Sequence, residues 1–473
     1  SRYYVTDDNR LILASEVGVL DVDPKHVLKK SRLEPGKILL VDTKEKRIIS
    51  DEEVKKAYAS RQPYGEWVDQ ELKQLSELKI PNKKLPTHDS EDLHRLYKVF
   101  GYTYEDLKDE IGPMATTGIE PTVSMGHDVP LAVLSKRHAN LFRYFNQHFA
   151  QVTNPPIDSL REKIVTDTTV YIGSDGNLLE ESGQNCRVLE VHHPILTGVD
   201  LMKIAELDEP GLRAVKVSMH YYKNTTLEKA LDQLNVHIDH AIAEGKNIVI
   251  LSDRGVDENH LPIPSLLAVS SVEQHLVRTK KRTVVSLILE SGEPKNVHDM
   301  ATLLGFGARA INPYLAHEAI TEMIDQGLLD KDYHTAIEDY NAAILNGIVK
   351  IAAKMGVSTI QSYQSARIFE AVGLSHELID QYFSGVTSKV GGIGLQEISE
   401  DVTWRHNHAY DPVGLPVDLE LDTEGYHKMR RGATAEDHLY DPETILALQK
   451  AAHTGKTEDF KAYTDMVDDP KRP

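Results

Sequence analysis

Apolar runs and amphipathic stretches alternate most regularly between residues 246 and 314. NIVILS at 247–252 is a continuous β-branched run that ends on the polar elbow Ser252-Asp253-Arg254-Gly255, and a helical pattern follows from Pro264. TVVSLIL at 283–289 repeats the unit, stopping on Glu290-Ser291-Gly292-Glu293 before a helical segment with Leu303 and Leu304, and residues 308–312 form a third run. Runs at 214–219 and 358–363 extend the series. Continuous apolar strands alternating with helical patterns predict parallel βα units covered on both faces. The fold class is therefore α/β, with a central domain of parallel βα units resembling a partial or modified barrel. Thr225 with Glu228 reads as a capping box, and Leu227, Leu231, Leu234, Ile238, Ala241 and Ile242 fall on one helical face before Gly245.

The ends of the chain carry other patterns. Residues 3–6 and 10–14 flank Asp7-Asp8-Asn9, and residues 37–42 and 47–50 flank 43–46, predicting two antiparallel hairpins. Such short strands leave open edges, so they are expected to be part of an incomplete sheet domain. The chain begins on Ser1 rather than Met, which carries the same expectation of a piece of something longer. Residues 51–110 are helical and charged and read as a connector. Gly- and Pro-rich loops at 113–118, 124–130 and 152–156 surround a helical pattern at 136–151. Beyond residue 409 come a polar loop, a helix at 442–452 and a charged tail.

Composition narrows the function classes. With 473 residues and 40% hydrophobic content the chain can build two or three domains. Its net charge of -20, with no basic stripe, argues against nucleic acid or an anionic membrane as partner. A single cysteine, Cys186, excludes an internal disulfide, a four-thiolate zinc site and an iron–sulfur cluster held by this chain's cysteines alone. A reducing, cytoplasmic location fits that usage, and no apolar run reaches membrane-spanning length.

Strand ends are where α/β proteins place their chemistry. Asp253 and Arg254 at one such end, and Glu290 and Glu293 at the next, could hold a polar ligand, or could fix the loops on which they stand. Gly305-Phe306-Gly307 precedes a strand, the wrong order for a phosphate cradle, and Gly391-Gly392-Ile393-Gly394 follows no strong strand pattern. The pairs His192 with His193 and His406 with His408 lack the cysteines or helix motif of a metal site, so no metal is expected. Cys186 has no nucleophile motif around it.

SRYYVTDDNRLILASEVGVLD, GYTYEDL, SMGHDVPLAVLS, FAQVTNPPID, NIVILSDRG, PIPSLLAV, LILESGE, GFGARAINPYLA, KMGVSTIQSY, IFEAVGL and GGIGLQEI follow one another along the chain. Their succession resembles the glutamate synthase large-subunit family. The resemblance implies that residues 1–61 end a glutamine amidotransferase domain, that 62–411 are the family's central domain and that 412–473 lead into an FMN-binding domain. Parents in that family hydrolyse glutamine at an N-terminal cysteine, pass ammonia inside the protein, and convert 2-oxoglutarate to glutamate with FMN and an iron–sulfur cluster. Electrons come from ferredoxin or from a pyridine nucleotide through an electron-donor subunit.

No catalytic residue of that chemistry and no cofactor is expected in this chain. The implied role is a non-catalytic scaffold that joins the two active-site domains and helps wall the ammonia channel, with Thr153 and Asn154 as channel candidates and the remaining amidotransferase, FMN-binding and glycine-repeat domains as partners. His127, and Gln364-Ser365-Ala366-Arg367, depart from the family's pattern. The alternative is a stand-alone barrel-like enzyme that uses Asp253, Arg254, Glu290 and Glu293 on a small polar metabolite.

Overall fold

The computed structural model describes residues 1–16, 18–123, 128–148, 154–432 and 435–469. Four strands lie side by side and parallel: β1 (Leu212–Ser218), β2 (Ile248–Ser252), β3 (Ser286–Glu290) and β4 (Ala310–Asn312). A short strand, Asp208–Glu209, pairs antiparallel with β1 at the edge. Every residue of β2, β3 and β4 is buried. Their apolar runs show no alternation because neither face meets water. The register sets Ser218 beside Ser252, Ser252 beside Glu290, and Glu290 beside Asn312. One row of polar residues thus forms at the carboxyl ends.

The connecting helices follow the predicted βα order: α1 (Leu227–Ala243), α2 (Ser265–Arg278), α3 (Val297–Gly305) and α4 (Tyr314–Asp325), followed by α5 (Tyr333–Lys354). Leu227, Leu231, Leu234, Ile238 and Ala241 of α1 are buried as their spacing predicts. The cap is one residue later than the sequence suggests. Thr226 accepts from the Lys229 amide, because Thr225 is already spent in a turn, its amide donating to Tyr222 at 2.7 Å.

Two other expectations are corrected. Residues 358–363 form no strand: Thr359 makes a lone bridge to Asp167, and Ile360–Tyr363 is a helical turn tied by the Thr359 and Ser362 hydroxyls at 2.8 Å. The described part of 136–151 is not a helix either. Leu141–Tyr144 is a 3₁₀ turn and Phe145–Gln147 a strand, since a neighbouring sheet offers an edge and an aromatic pocket that override local preference. That sheet pairs Phe145–Gln147 antiparallel with β5 (Phe369–Leu374), which lies parallel to β6 (Thr387–Ile393). The Phe306 ring joins this layer to α3, with centroids 5.0 Å from Phe145, 5.6 Å from Phe369 and 5.3 Å from Phe383.

Gly391 to Gly394 also stand differently from expectation. A strand does precede Gly394, and α6 (Leu395–Ala409) follows, with Glu397 accepting from the Gly394 amide at 2.8 Å. Gly392 is required by β5, because a Cβ there would fall 2.1 Å from the Gly373 carbonyl oxygen. The run 51–110 is no mere connector. Its Ser90–Val99 helix buries Leu93, Leu96, Tyr97 and Val99 within the larger unit.

That larger unit is Leu72–Pro473, and Ser1–Glu71 is a separate one. In the smaller unit Arg2–Thr6 is flanked antiparallel by Leu11–Ala14 and by Val27–Arg32, a strand the sequence pattern did not reveal. Leu40–Asp42 pairs with Arg47–Ile49 across the predicted turn, where the Asp42 carboxylate accepts from the Lys44 and Glu45 amides at 2.8 and 2.9 Å. Among the described residues of this unit only Tyr3, Thr6 and Val54 are buried, and Leu28 is 71% exposed. So little covered apolar surface resists opening poorly. In native-state hydrogen exchange, amides of residues 11–14 will exchange through low-energy openings while those of 248–251 require unfolding of the larger unit. Equal protection of the two segments would refute this.

Candidate functional site at the strand ends

Of the four predicted strand-end residues, Arg254 and Glu290 meet at the row formed by Ser252, Glu290 and Asn312, while Asp253 and Glu293 have other partners. The Glu290 carboxylate, 3% exposed, is the hub. Ser252 Oγ donates to its Oε2 at 2.6 Å, Arg254 Nε donates to its Oε1 at 2.8 Å, and Lys216 Nζ from β1 lies 2.7 Å from Oε2. Burial would raise the Glu290 carboxyl, but Arg254 and Lys216 outweigh it and hold it below the ordinary carboxylate value. Arg254 spans to a second acid, Nη1 donating to Glu318 Oε1 at 3.1 Å, and its guanidinium stacks 3.9 Å over the Tyr314 ring. Glu318 Oε2 in turn accepts from the His88 amide at 3.0 Å and faces His88 Nδ1 at 2.9 Å.

Asp253 points elsewhere and is 1% exposed. Ser291 Oγ donates to its Oδ2 at 2.5 Å, and the Gly292 amide lies 3.1 Å from Oδ1 and 3.2 Å from Oδ2. Burial pushes the Asp253 carboxyl up to about 7 against these donors, and the Glu290 charge adds to the rise. Glu293 has a different partner again. Its Oε2 accepts from the amide of Ser265 at 2.7 Å and from the Ser265 hydroxyl at 2.6 Å, at the first residue of α2. Pro264 before it supplies no side-chain cap, so Glu293 provides the acceptor that a capping residue normally brings.

Glu293→Ala leaves a buried amide and hydroxyl without an acceptor. The loss should be about 1–3 kcal/mol in denaturant titration of the larger unit, with the slope unchanged. A change under about 0.5 kcal/mol would show that Glu293 does not cap α2.

Sequence reasoning found the elbows but missed Lys216, Glu318 and His88. Lys216 was hidden inside an apolar run, and Glu318 inside the buried helix stretch YLAHEAI; a charge in such surroundings is the one signal that marks them. Thr153 lies outside the described residues, as does His127, while Asn154 is exposed. The backbone after it is held: the Ile157 amide donates to Ala353 at 2.8 Å, and a Cβ on Gly356, at φ +72°, would fall 2.8 Å from the Asn154 carbonyl oxygen.

The histidine pairs stand in unlike surroundings, and His192 is exposed. His406 Nε2 is 2.7 Å from the Asp257 carbonyl, His408 Nδ1 is 2.7 Å from the Trp404 carbonyl, and burial lowers His193. Among the described residues no group of three or more His, Cys, Asp or Glu is arranged to hold a metal, and no helix is long and apolar enough to cross a membrane. Cys186 is free and half-buried.

Residues 95–375 match the family described as glutamate synthase central domain, and residues 1–67 match glutamine amidotransferases class-II. The glutamate synthase (NADPH) large chain of Bacillus subtilis is 44% identical over 470 residues, which are 99% of this chain and 30% of that protein. The glutamate synthase (NADH) of Schizosaccharomyces pombe is 38% identical over 98% of this chain and 22% of its own length. Ferredoxin-dependent glutamate synthase 2 of Synechocystis is 36% identical over 95% of this chain and 29% of its own. This chain therefore spans less than a third of each of these relatives.

Proposed function

Because this chain belongs to the glutamate synthase family, we propose that its larger unit is a non-catalytic scaffold that joins the active-site domains of a longer parent and walls a passage for ammonia. The observation that carries this reading is the closure of the strand-end network. Glu290, Arg254, Glu318 and Glu293 are spent on one another or on a helix end. Few groups there are left over for a substrate, so the position where a parallel βα protein would work is filled by its own charges. On this reading residues 1–61 close an amidotransferase domain, 62–411 are the central domain, a modified barrel in its βα series, and 412–473 lead toward the FMN-binding domain.

The parent would transfer the amide nitrogen of glutamine reductively to 2-oxoglutarate. FMN and an iron–sulfur cluster would belong to its other parts, since a single cysteine cannot hold a cluster. The remaining amidotransferase, FMN-binding and glycine-repeat domains are the proposed partners, with an electron-donor subunit or ferredoxin supplying the electrons.

Thr153 and Asn154 are the proposed wall residues. Pro155 and Pro156 fix φ at two positions and press Asn154 toward an extended conformation, and the contact with Gly356 supports a rigid loop. A small uncharged molecule is kept from bulk water by such a fixed constriction better than by ionised side chains. In the full-length parent, Asn154→Trp should leave glutamine hydrolysis intact and lower the glutamate formed per glutamine consumed, with free ammonia appearing in the medium. Unchanged coupling would return the loop to a purely structural role.

The stand-alone enzyme reading has one observation in its favour, the Asp253 carboxyl near neutrality. That group is buried and saturated by Ser291 and Gly292, which supports a structural role instead.

A further inference from the structure

The larger unit holds a cavity of about 690 Å³ lined by Tyr102, Glu110, Arg137, Arg143, Asp299 and Tyr426 among others, with Lys295 and Asn296 reaching it from just beyond the Glu290–Glu293 elbow. Its volume is in the range that takes a small organic ligand. Three polar atoms that line it are buried and have no hydrogen-bond partner: Arg137 Nη2, Glu110 Oε2 and the Tyr102 hydroxyl. A buried donor or acceptor left unpaired costs about 1–3 kcal/mol, so three around one cavity are a deficit that an occupant would remove.

Arg137 has a donor to spare, and Arg143 bonds Tyr426 but no carboxylate at hydrogen-bond length. Arg137 reaches Glu424 only at 3.8 Å, and Arg143 reaches Glu424 at 3.9 Å and Glu436 at 3.8 Å, beyond hydrogen-bond length. Arg143 is held in place by stacking, its guanidinium 3.9 Å over the Tyr426 ring. Glu110 is half spent: Oε1 bonds to His427, while Oε2 is free. The cavity thus offers an unused cationic donor and an unused anionic acceptor. Lysines and arginines around it are nearly balanced by carboxylates, and Asp299, pushed up to about 8 by burial, stays mostly uncharged at neutral pH. A balanced cavity disfavours a ligand of net charge.

We infer that this cavity binds a small zwitterion of the α-amino-acid class, its carboxylate on Arg137 and Arg143 and its ammonium on Glu110. Carboxylate on guanidinium and ammonium on carboxylate are both charge-assisted pairs. Met114, Pro113 and Phe142, which also line the cavity, would receive the side chain. Such a site gives the scaffold a way to respond to a metabolite without catalysing its conversion.

The test is titration calorimetry of the full chain with each proteinogenic L-amino acid in turn. Saturable binding by at least one is expected, and its α-amide and its N-acetyl derivative, which each lack one charge, should both fail to bind. Arg137→Gln and Glu110→Gln should each weaken that binding by at least about tenfold, while Lys389→Gln on exposed β6 leaves it unchanged. Absence of saturable binding by every amino acid overturns the inference. So does wild-type affinity in either cavity variant, or retained binding of either derivative, a comparison that holds on the unaltered chain even if a variant fails to fold.

Discussion

Arg254→Ala will destabilise the larger unit by about 3–5 kcal/mol, the range found when one partner is removed from a buried ion pair. Arg254 stands between Glu290 at 2.8 Å and Glu318 at 3.1 Å, whose side chains are 3% and 11% exposed. Without the guanidinium Glu290 keeps Lys216 and the Ser252 hydroxyl, and Glu318 keeps His88. Truncation also strips the cation from the Tyr314 ring. The loss should be read by urea denaturation at neutral pH, with Arg254→Ala, Glu290→Gln and the double variant compared. Because the cost of Arg254→Ala is mostly that of an orphaned carboxylate, adding Glu290→Gln should recover part of it, giving a coupling of the order of 1–3 kcal/mol. A loss below about 1 kcal/mol, or additivity of the two changes, would mean that solvent screens this network and that it does not organise the strand ends.

The elbows were legible because a fully buried strand must end where polar residues begin, and Ser252-Asp253-Arg254 and Glu290-Ser291 stand at that boundary in sequence and in space. Which of those residues share a network was not legible. Adjacent residues at a strand end point to opposite sides, so Asp253 and Arg254 part company: one turns to the Ser291–Gly292 backbone, the other to Glu290 and Glu318. Glu293 reads as a neighbour of Glu290 yet caps α2.

The misread elements share one cause. Phe145–Gln147 and Val27–Arg32 are strands because an edge from a distant part of the chain was waiting for them, and no local period records such an edge. Residues 358–363 failed in the opposite sense, a β-like run with no edge to join.

Asp253→Asn will remove a pH dependence that the native chain carries. In the folded state the Asp253 carboxyl titrates near 7, against an ordinary value of 3.8 for the unfolded chain. Between those values the folded state binds the extra proton, so stability falls as pH rises through this window and levels off above about 7. At roughly 1.4 kcal/mol per pH unit the full effect is at most about 4 kcal/mol. Most carboxylates that gain partners behave the other way, and Glu290 is one of them. The variant isolates Asp253 from those. Asparagine keeps a carbonyl oxygen to accept from the Gly292 amide, and its amide can donate to Ser291 Oγ, so the local bonds survive without an ionisable group. Urea midpoints for native and variant chains between pH 4 and pH 8 should therefore diverge steadily, the variant gaining a few kcal/mol relative to the native chain by pH 8. Parallel profiles would mean that water or a counter-charge reaches Asp253 and that its burial does not control its proton.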